Sequence, residues 1–178
     1  MKKIAIIYCS NTGNTEKVAY SIKKGLEKTG AKISVMKTGK AKETDFFDFD
    51  LVCIGFPSIN WHPPKSLDSF LKKKFREYKK KGKIRPKAPK IPGKNALIFC
   101  TYSGPHTGID EATPAVKYVS QFFEHLGFFV IDEWYILSEY HGSKELSTKG
   151  KMGDIRGLPD KKDLKTIEEN SKNIFSKM

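Results

Sequence analysis

Five runs of apolar residues divide the chain: Lys3–Cys9, Lys32–Lys37, Leu51–Phe56, Ala96–Thr101 and Phe128–Leu137. They are near-continuous and rich in Ile and Val, the pattern of strands covered on both faces in a parallel sheet. Between them the apolar period lengthens to that of helices. Val18, Ile22 and Leu26 recur at i, i+4 and i+8, with Gly30 as a stop. Leu67, Phe70, Leu71, Phe75 and Tyr78 mark a second helix closed by Gly82. Ala115, Val116, Val119, Phe122, Phe123 and Leu126 mark a third, closed by Gly127. Leu164, Ile167, Ile174 and Phe175 mark a last helix, with Asp160 placed to cap its start. The polar segment Thr38–Asp50 reads as either a short helix or a loop. Strand–helix alternation of this kind predicts a doubly wound α/β sheet with right-handed crossovers. Ligands in such sheets bind beyond the carboxyl ends of the strands, so the loops leaving strands one, three, four and five are the informative ones.

At 178 residues the chain fits one domain spanning 1–178. The apolar start, Ile4-Ala5-Ile6-Ile7-Tyr8, is too short for a secretory signal, and no stretch approaches the ~18–20 apolar residues of a membrane span. A cytoplasmic protein without an integral membrane segment is the expectation. Cys9, Cys53 and Cys100 are widely spaced, with no CxxC pair and no metal-ligand cluster. They read as reduced, buried thiols, the alternative being a redox role for Cys9 or Cys100 at strand ends near the site. No metal site is expected.

The net charge of +13 changes the picture through its location. Twelve Lys/Arg lie between Lys72 and Lys94 against one acid, Glu77, so +11 of the +13 sits in that segment. Its helical part is expected to end at the sheet edge opposite the ligand loops, where cations suit a helix C-terminus. Such a segment reads as a solvated, solubilising face, the alternative being a docking surface for an acidic partner protein or membrane surface. Without a nucleic-acid-binding module or interleaved aromatics, no nucleic-acid function is expected.

The loop after strand one, Ser10-Asn11-Thr12-Gly13-Asn14-Thr15-Glu16, surrounds one glycine with hydroxyl and amide side chains at a helix N-terminus. Exposed N–H groups and the positive helix end make an anion site needing no Lys or Arg. The loop lacks GxxxxGK[ST], and no GxGxxG is present. The loop after strand three contains Pro57-Ser58-Ile59-Asn60-Trp61-His62. Trp61 is either a stacking ring or a loop anchor, and Asn60 tolerates positive φ. The loop after strand four runs Thr101-Tyr102-Ser103-Gly104-Pro105-His106. Tyr102 is either a second stacking face or an anchor, and Ser103 and Gly104 allow close backbone approach. Residues 138–160 form a long polar connection in which Tyr140 and His141 could approach a ligand, as could His106.

Tyr8 to Ala19 resembles the phosphate-loop signature of the flavodoxin family, whose core is S/T-x-T-G-N-T, and the loops at 55–64 and 101–108 are similar to its two ring-binding loops. The resemblance implies a five-stranded parallel sheet of order 2-1-3-4-5 with helices on both faces, and flavin mononucleotide (FMN) as cofactor. It implies that Ser10, Asn11, Thr12, Gly13, Asn14 and Thr15 hold the phosphate. Pro57, Ser58, Ile59, Asn60, Trp61, Thr101, Tyr102, Ser103 and Gly104 would then line the ring. It further implies an electron carrier between redox partner proteins; no catalytic residue is assigned. An FMN-dependent oxidoreductase moving electrons from NAD(P)H to a quinone or other small acceptor is the alternative, and a non-redox binding module a second one. The basic segment departs from the acidic surface typical of the family.

Overall fold

A computed structural model describes all 178 residues. Its elements follow in the order β1 (Lys3–Tyr8), α1 (Asn14–Glu27), β2 (Lys32–Lys37), β3 (Leu51–Pro57), α2 (Lys65–Lys80), β4 (Asn95–Tyr102), α3 (Thr113–His125), β5 (Phe129–Leu137), α4 (Lys144–Lys149) and α5 (Lys161–Phe175). The strands form one parallel sheet in the order β2-β1-β3-β4-β5. This is the expected doubly wound order, with its reversal at β1/β3.

Side chains of successive strand residues point to opposite faces, and here both faces are covered. Ala5, Ile7, Val52, Ile54, Ala96 and Ile98 pack with Leu67, Phe70, Val119 and Phe123 of α2 and α3. Ile4, Ile6, Leu51, Cys53, Leu97 and Phe99 pack with Val18, Ile22 and Leu26 of α1 and Ile167 and Ile174 of α5. The three central strands β1, β3 and β4 are therefore almost wholly buried, whereas β2 and β5 on the edges are half-buried.

The ambiguous stretch Thr38–Asp50 resolves into two short 3₁₀ turns, Thr38–Lys40 and Phe46–Asp48. The second is held by contacts remote in sequence. Phe46 donates its N–H to the Tyr78 hydroxyl at 2.7 Å, and that hydroxyl donates to Asp45 at 3.1 Å. Phe46 itself is fully buried among Phe70, Tyr78, Phe122 and Phe123.

Asp160 caps α5 as expected, accepting from the N–H groups of Lys162 and Asp163 while the Asp163 side chain accepts from the Asp160 N–H. The polar connection 138–160 is more structured than its composition suggests. It contains the short helix α4, capped by Ser143, and the buried Ser147 hydroxyl donates to the Tyr140 carbonyl and accepts the Tyr140 N–H. Further along, the Lys151 N–H donates to the Pro105 carbonyl at 2.8 Å, which ties this segment to the loop after β4.

Candidate functional site

Four loops meet at the carboxyl ends of β1, β3, β4 and β5. In the first, Gly13 has φ +95° at the N-cap of α1, and an ideal Cβ there would touch nothing; the residue is required by its backbone rather than by space. The Ser10 hydroxyl accepts the N–H groups of Gly13 (3.2 Å) and Glu16 (3.3 Å), which curls the loop back on itself. The N–H groups of Asn11, Thr12, Asn14 and Thr15 donate to no acceptor within the protein. Four free donors at a positive helix end form a cradle for an anion.

Two side chains of this loop turn inward. Thr15 is buried, and its hydroxyl pairs with that of buried Thr101 at 2.8 Å, joining the loops after β1 and β4. The Asn14 amide donates to the Glu139 carbonyl at 3.2 Å and lies 3.5 Å from His141 Nε2. The connection after β5 thereby closes one side of the cradle. A narrow pocket of about 150 Å³ results; Asn11, Thr12, Asn14 and Thr15 share its wall with Pro57, Thr101, Ser138 and His141.

The loop after β3 makes a tight reversal. Ile59 and His62 exchange both backbone hydrogen bonds, at 2.9 and 3.0 Å, across a two-residue turn. The central residues Asn60 and Trp61 both have positive φ, 48° and 65°, as a type I′ turn demands. Positive φ is ordinary for Asn and rare for Trp, and such strain concentrates where backbone geometry serves a ligand. Trp61 is 58% exposed and packs against no other ring of the protein. Ser58 anchors the loop, donating its N–H to the Thr101 carbonyl (2.9 Å) and its hydroxyl to the Glu111 carbonyl (2.6 Å).

In the loop after β4, Gly104 has φ +55°, and a Cβ there would come within 2.5 Å of the Gly108 carbonyl oxygen, so this turn closes only with glycine. The N–H groups of Ser103 and Gly104 find no acceptor in the protein, whereas those of His106 and Thr107 both donate to the Glu111 carboxylate at 2.7 Å. Tyr102 is largely buried, and desolvation, followed by the nearby Cys100, raises its hydroxyl pKa. Burial likewise pushes the Cys100 and Cys53 thiols up, which disfavours thiolate chemistry at either. Cys9, half-buried, lies 3.3 Å from the Ser66 hydroxyl.

A cleft of about 460 Å³ opens between these loops and is continuous with the narrow pocket through Ser58, Ile59, Tyr102, Ser103 and Tyr140. Asn60, Trp61 and Gly104 line it, and Tyr140, 44% exposed, adds a third aromatic ring. Thirteen of the fifteen residues expected at the site from the sequence line one cavity: Asn11, Thr12, Asn14, Thr15, Pro57–Trp61 and Thr101–Gly104. The remaining two, Ser10 and Gly13, work inside the first loop by shaping the backbone. Ser138, Glu139, Gly142, Glu111 and Leu146 also line it and carried no motif. Their only sequence signal is position: each follows a strand at its carboxyl end. No group of His, Cys, Asp or Glu is arranged to hold a metal ion, and no helix is long and apolar enough to cross a membrane.

A family model described as Flavodoxin matches residues 6–169. No curated protein sequence matches the chain. Among solved structures, flavodoxin 1 from Bacillus cereus is 15% identical, with each chain 99% covered and a TM-score of 0.71. A flavodoxin from Streptococcus pneumoniae TIGR4 is 18% identical, with each chain 99% covered and a TM-score of 0.68. The flavodiiron core from Synechocystis sp. PCC6803 is 16% identical with a TM-score of 0.62; 99% of the present chain matches 36% of that one. At these identities the structural likenesses show the fold.

Proposed function

The chain belongs to the flavodoxin family, and from that premise we propose that it binds FMN at the carboxyl edge of the sheet and carries electrons between redox partner proteins. The observation that carries this reading is the coincidence of two features in one cavity. Four N–H donors without acceptors, at Asn11, Thr12, Asn14 and Thr15, lie at one end. An aromatic-lined cleft with two further free donors, at Ser103 and Gly104, lies at the other. A phosphate monoester joined to a flat, edge-polar ring fits that pairing.

FMN, when bound, supplies a ring that accepts electrons singly or in pairs. The residues do the rest. The first loop holds the phosphate through backbone N–H groups preorganised by Ser10 and Gly13, so no charged side chain is required. The Thr15–Thr101 pair fixes the distance between phosphate cradle and ring cleft. Trp61 presents an indole face to the ring, and the Asn60–Trp61 turn sets the peptide groups that face the ring edge. Ser103 and Gly104 offer N–H donors to the ring's polar edge. Three free thiols suit a reducing compartment, and we place the protein in the cytoplasm.

A second reading, an FMN-dependent reductase of quinones or other small acceptors using NAD(P)H, is favoured by the extent of the cleft. It continues past Gly104 to Pro105, His106, Thr107 and Leu146, on the far side from the phosphate cradle. Stepwise anaerobic reduction of the FMN-loaded protein, followed by visible absorption, separates the two. The carrier takes up electrons in two resolved one-electron steps. A single two-electron step, with NAD(P)H oxidation in the presence of quinone, would replace the carrier by the reductase.

A further inference from the structure

The face formed by α2 and α3 carries a groove that the flavin site does not use. Its walls include Leu71, Phe75, Tyr118 and Phe122, and it encloses about 410 Å³. Tyr118 bridges it at one end by donating to Asp68 at 2.6 Å, and the Phe75 and His125 rings, 6.1 Å apart, meet edge to face at the other. Beyond His125 the groove runs into a second hollow of about 260 Å³, lined by Lys83, Arg85, Pro89 and Ile91.

The charge around this trough is one-sided. Lys73, Arg76, Lys79, Lys80, Lys83, Arg85 and Lys87 have no carboxylate within ion-pair distance. The acids of the same face are already engaged: Asp68 by Lys72, Glu77 by Lys74 and Lys81, Asp45 by Lys81, and Glu124 by Lys90. Arg76 borders the first hollow and Lys83 and Arg85 the second, so unbalanced cations flank apolar walls.

We propose that this trough docks an acidic, amphipathic helical segment of a partner protein, which seats apolar side chains between α2 and α3 while its carboxylates meet Arg76, Lys83 and Arg85. Charge complementarity selects an acidic occupant. Apart from Tyr118 at one end, the walls are recessed, which selects a protein. A bilayer would need large apolar side chains projecting from the basic segment, yet between Lys65 and Lys94 none is exposed, so the occupant brings its own. A nucleic acid would leave the apolar walls without a partner, since it has phosphate and sugar rather than apolar knobs to insert. The groove runs along the middle of α2: its Tyr118 end lies beside the loop that carries Trp61, the Tyr118 and His62 rings 6.5 Å apart, whereas Arg76 is about 16 Å along the helix from Lys65 and the second hollow lies past the helix end. A segment anchored at Arg76, Lys83 and Arg85 engages the end of the trough remote from the Trp61 loop, so that docking there need not cover the cofactor edge. The inference does not depend on FMN being the cofactor.

The test uses the full chain, ¹⁵N-labelled, and a synthetic helical peptide with leucine on one face and glutamate on the other. A peptide of the same composition scrambled to break the period serves as control. Amide shifts confined to α2, α3 and residues 83–91 are expected for the periodic peptide only. Affinity should fall about tenfold or more in Arg76→Glu/Arg85→Glu, whose side chains are exposed and unpaired. It should fall similarly in Gln121→Trp, which fills the groove from an exposed position without changing charge. Both variants should keep the wild-type melting temperature. No binding, equal binding of the scrambled peptide, indifference to both variants, or occupation of the groove by anionic phospholipid vesicles or duplex RNA in place of the peptide would overturn the proposal.

Discussion

Replacing Trp61 by alanine isolates the ring contact, because the structure separates that contact from everything else the residue does. Trp61 is 58% exposed and packs on no other ring, so its removal leaves the core untouched. Its φ of +65° is equally strained for tryptophan and alanine, and the backbone cost cancels. What remains is the face a bound ring would cover. About 70 Å² of indole at ~25 cal/mol/Å² contributes about 2 kcal/mol, and aromatic stacking adds about 0.5–1.5 kcal/mol. The expected loss is therefore about 2–3 kcal/mol, or about 30- to 150-fold in Kd. FMN and riboflavin, which share the ring, should weaken by the same factor in a flavin-fluorescence titration, and Trp61→Phe should recover most of it. Unchanged affinity in Trp61→Ala would refute the stacking role and leave Trp61 as a loop anchor. A loss confined to FMN would show that the residue acts on the phosphate instead.

Other consequences are as specific. His141→Ala removes the side chain that closes the phosphate cradle beside Asn14, and should weaken FMN about fivefold, a hydrogen bond's worth, without affecting riboflavin in the same titration. Thr15→Val leaves the Thr101 hydroxyl buried without a partner and should cost about 1–3 kcal/mol in urea unfolding, part of which Thr15→Val/Thr101→Val restores. For Asp45, burial pushes the carboxyl pKa up, but bonds from the Phe47 N–H, the Tyr78 hydroxyl and Lys81 outweigh it and hold the pKa below the ordinary carboxylate value. A folded-state pKa lowered in this way contributes stability above about pH 4 that is lost as pH falls through it. Melting temperatures of Asp45→Asn should therefore be lower than wild type near neutrality and fall less steeply on acidification.

The buried strands were legible because central parallel strands are apolar on both faces, and the edge strand β2 because its Ile and Val still formed a run just after Gly30. Thr38–Asp50 was not, since its 3₁₀ turns depend on Phe46 meeting Tyr78, thirty-two residues away. Helix α4 has six residues, too few to be stable alone, and is held by Ser143 and the Ser147–Tyr140 exchange rather than by any periodicity. Lys74 also escapes the pattern: a lysine in the basic run is expected outside, yet it is 2% exposed, with its ammonium 3.2 Å from Glu77. At the site, loops with a glycine, a tryptophan or a run of hydroxyls announced themselves. The Asn14–His141 approach joins residues 127 apart and had no local signature.

The loops at the carboxyl edge are proposed to form a site for a phosphorylated flavin. Calorimetric titration of the flavin-free chain with FMN, and separately with riboflavin, tests it most directly. One FMN per chain is expected, with binding at least tenfold weaker for riboflavin, which offers nothing to the four N–H donors of Asn11, Thr12, Asn14 and Thr15. Failure to bind FMN, or equal affinity for both, would contradict it.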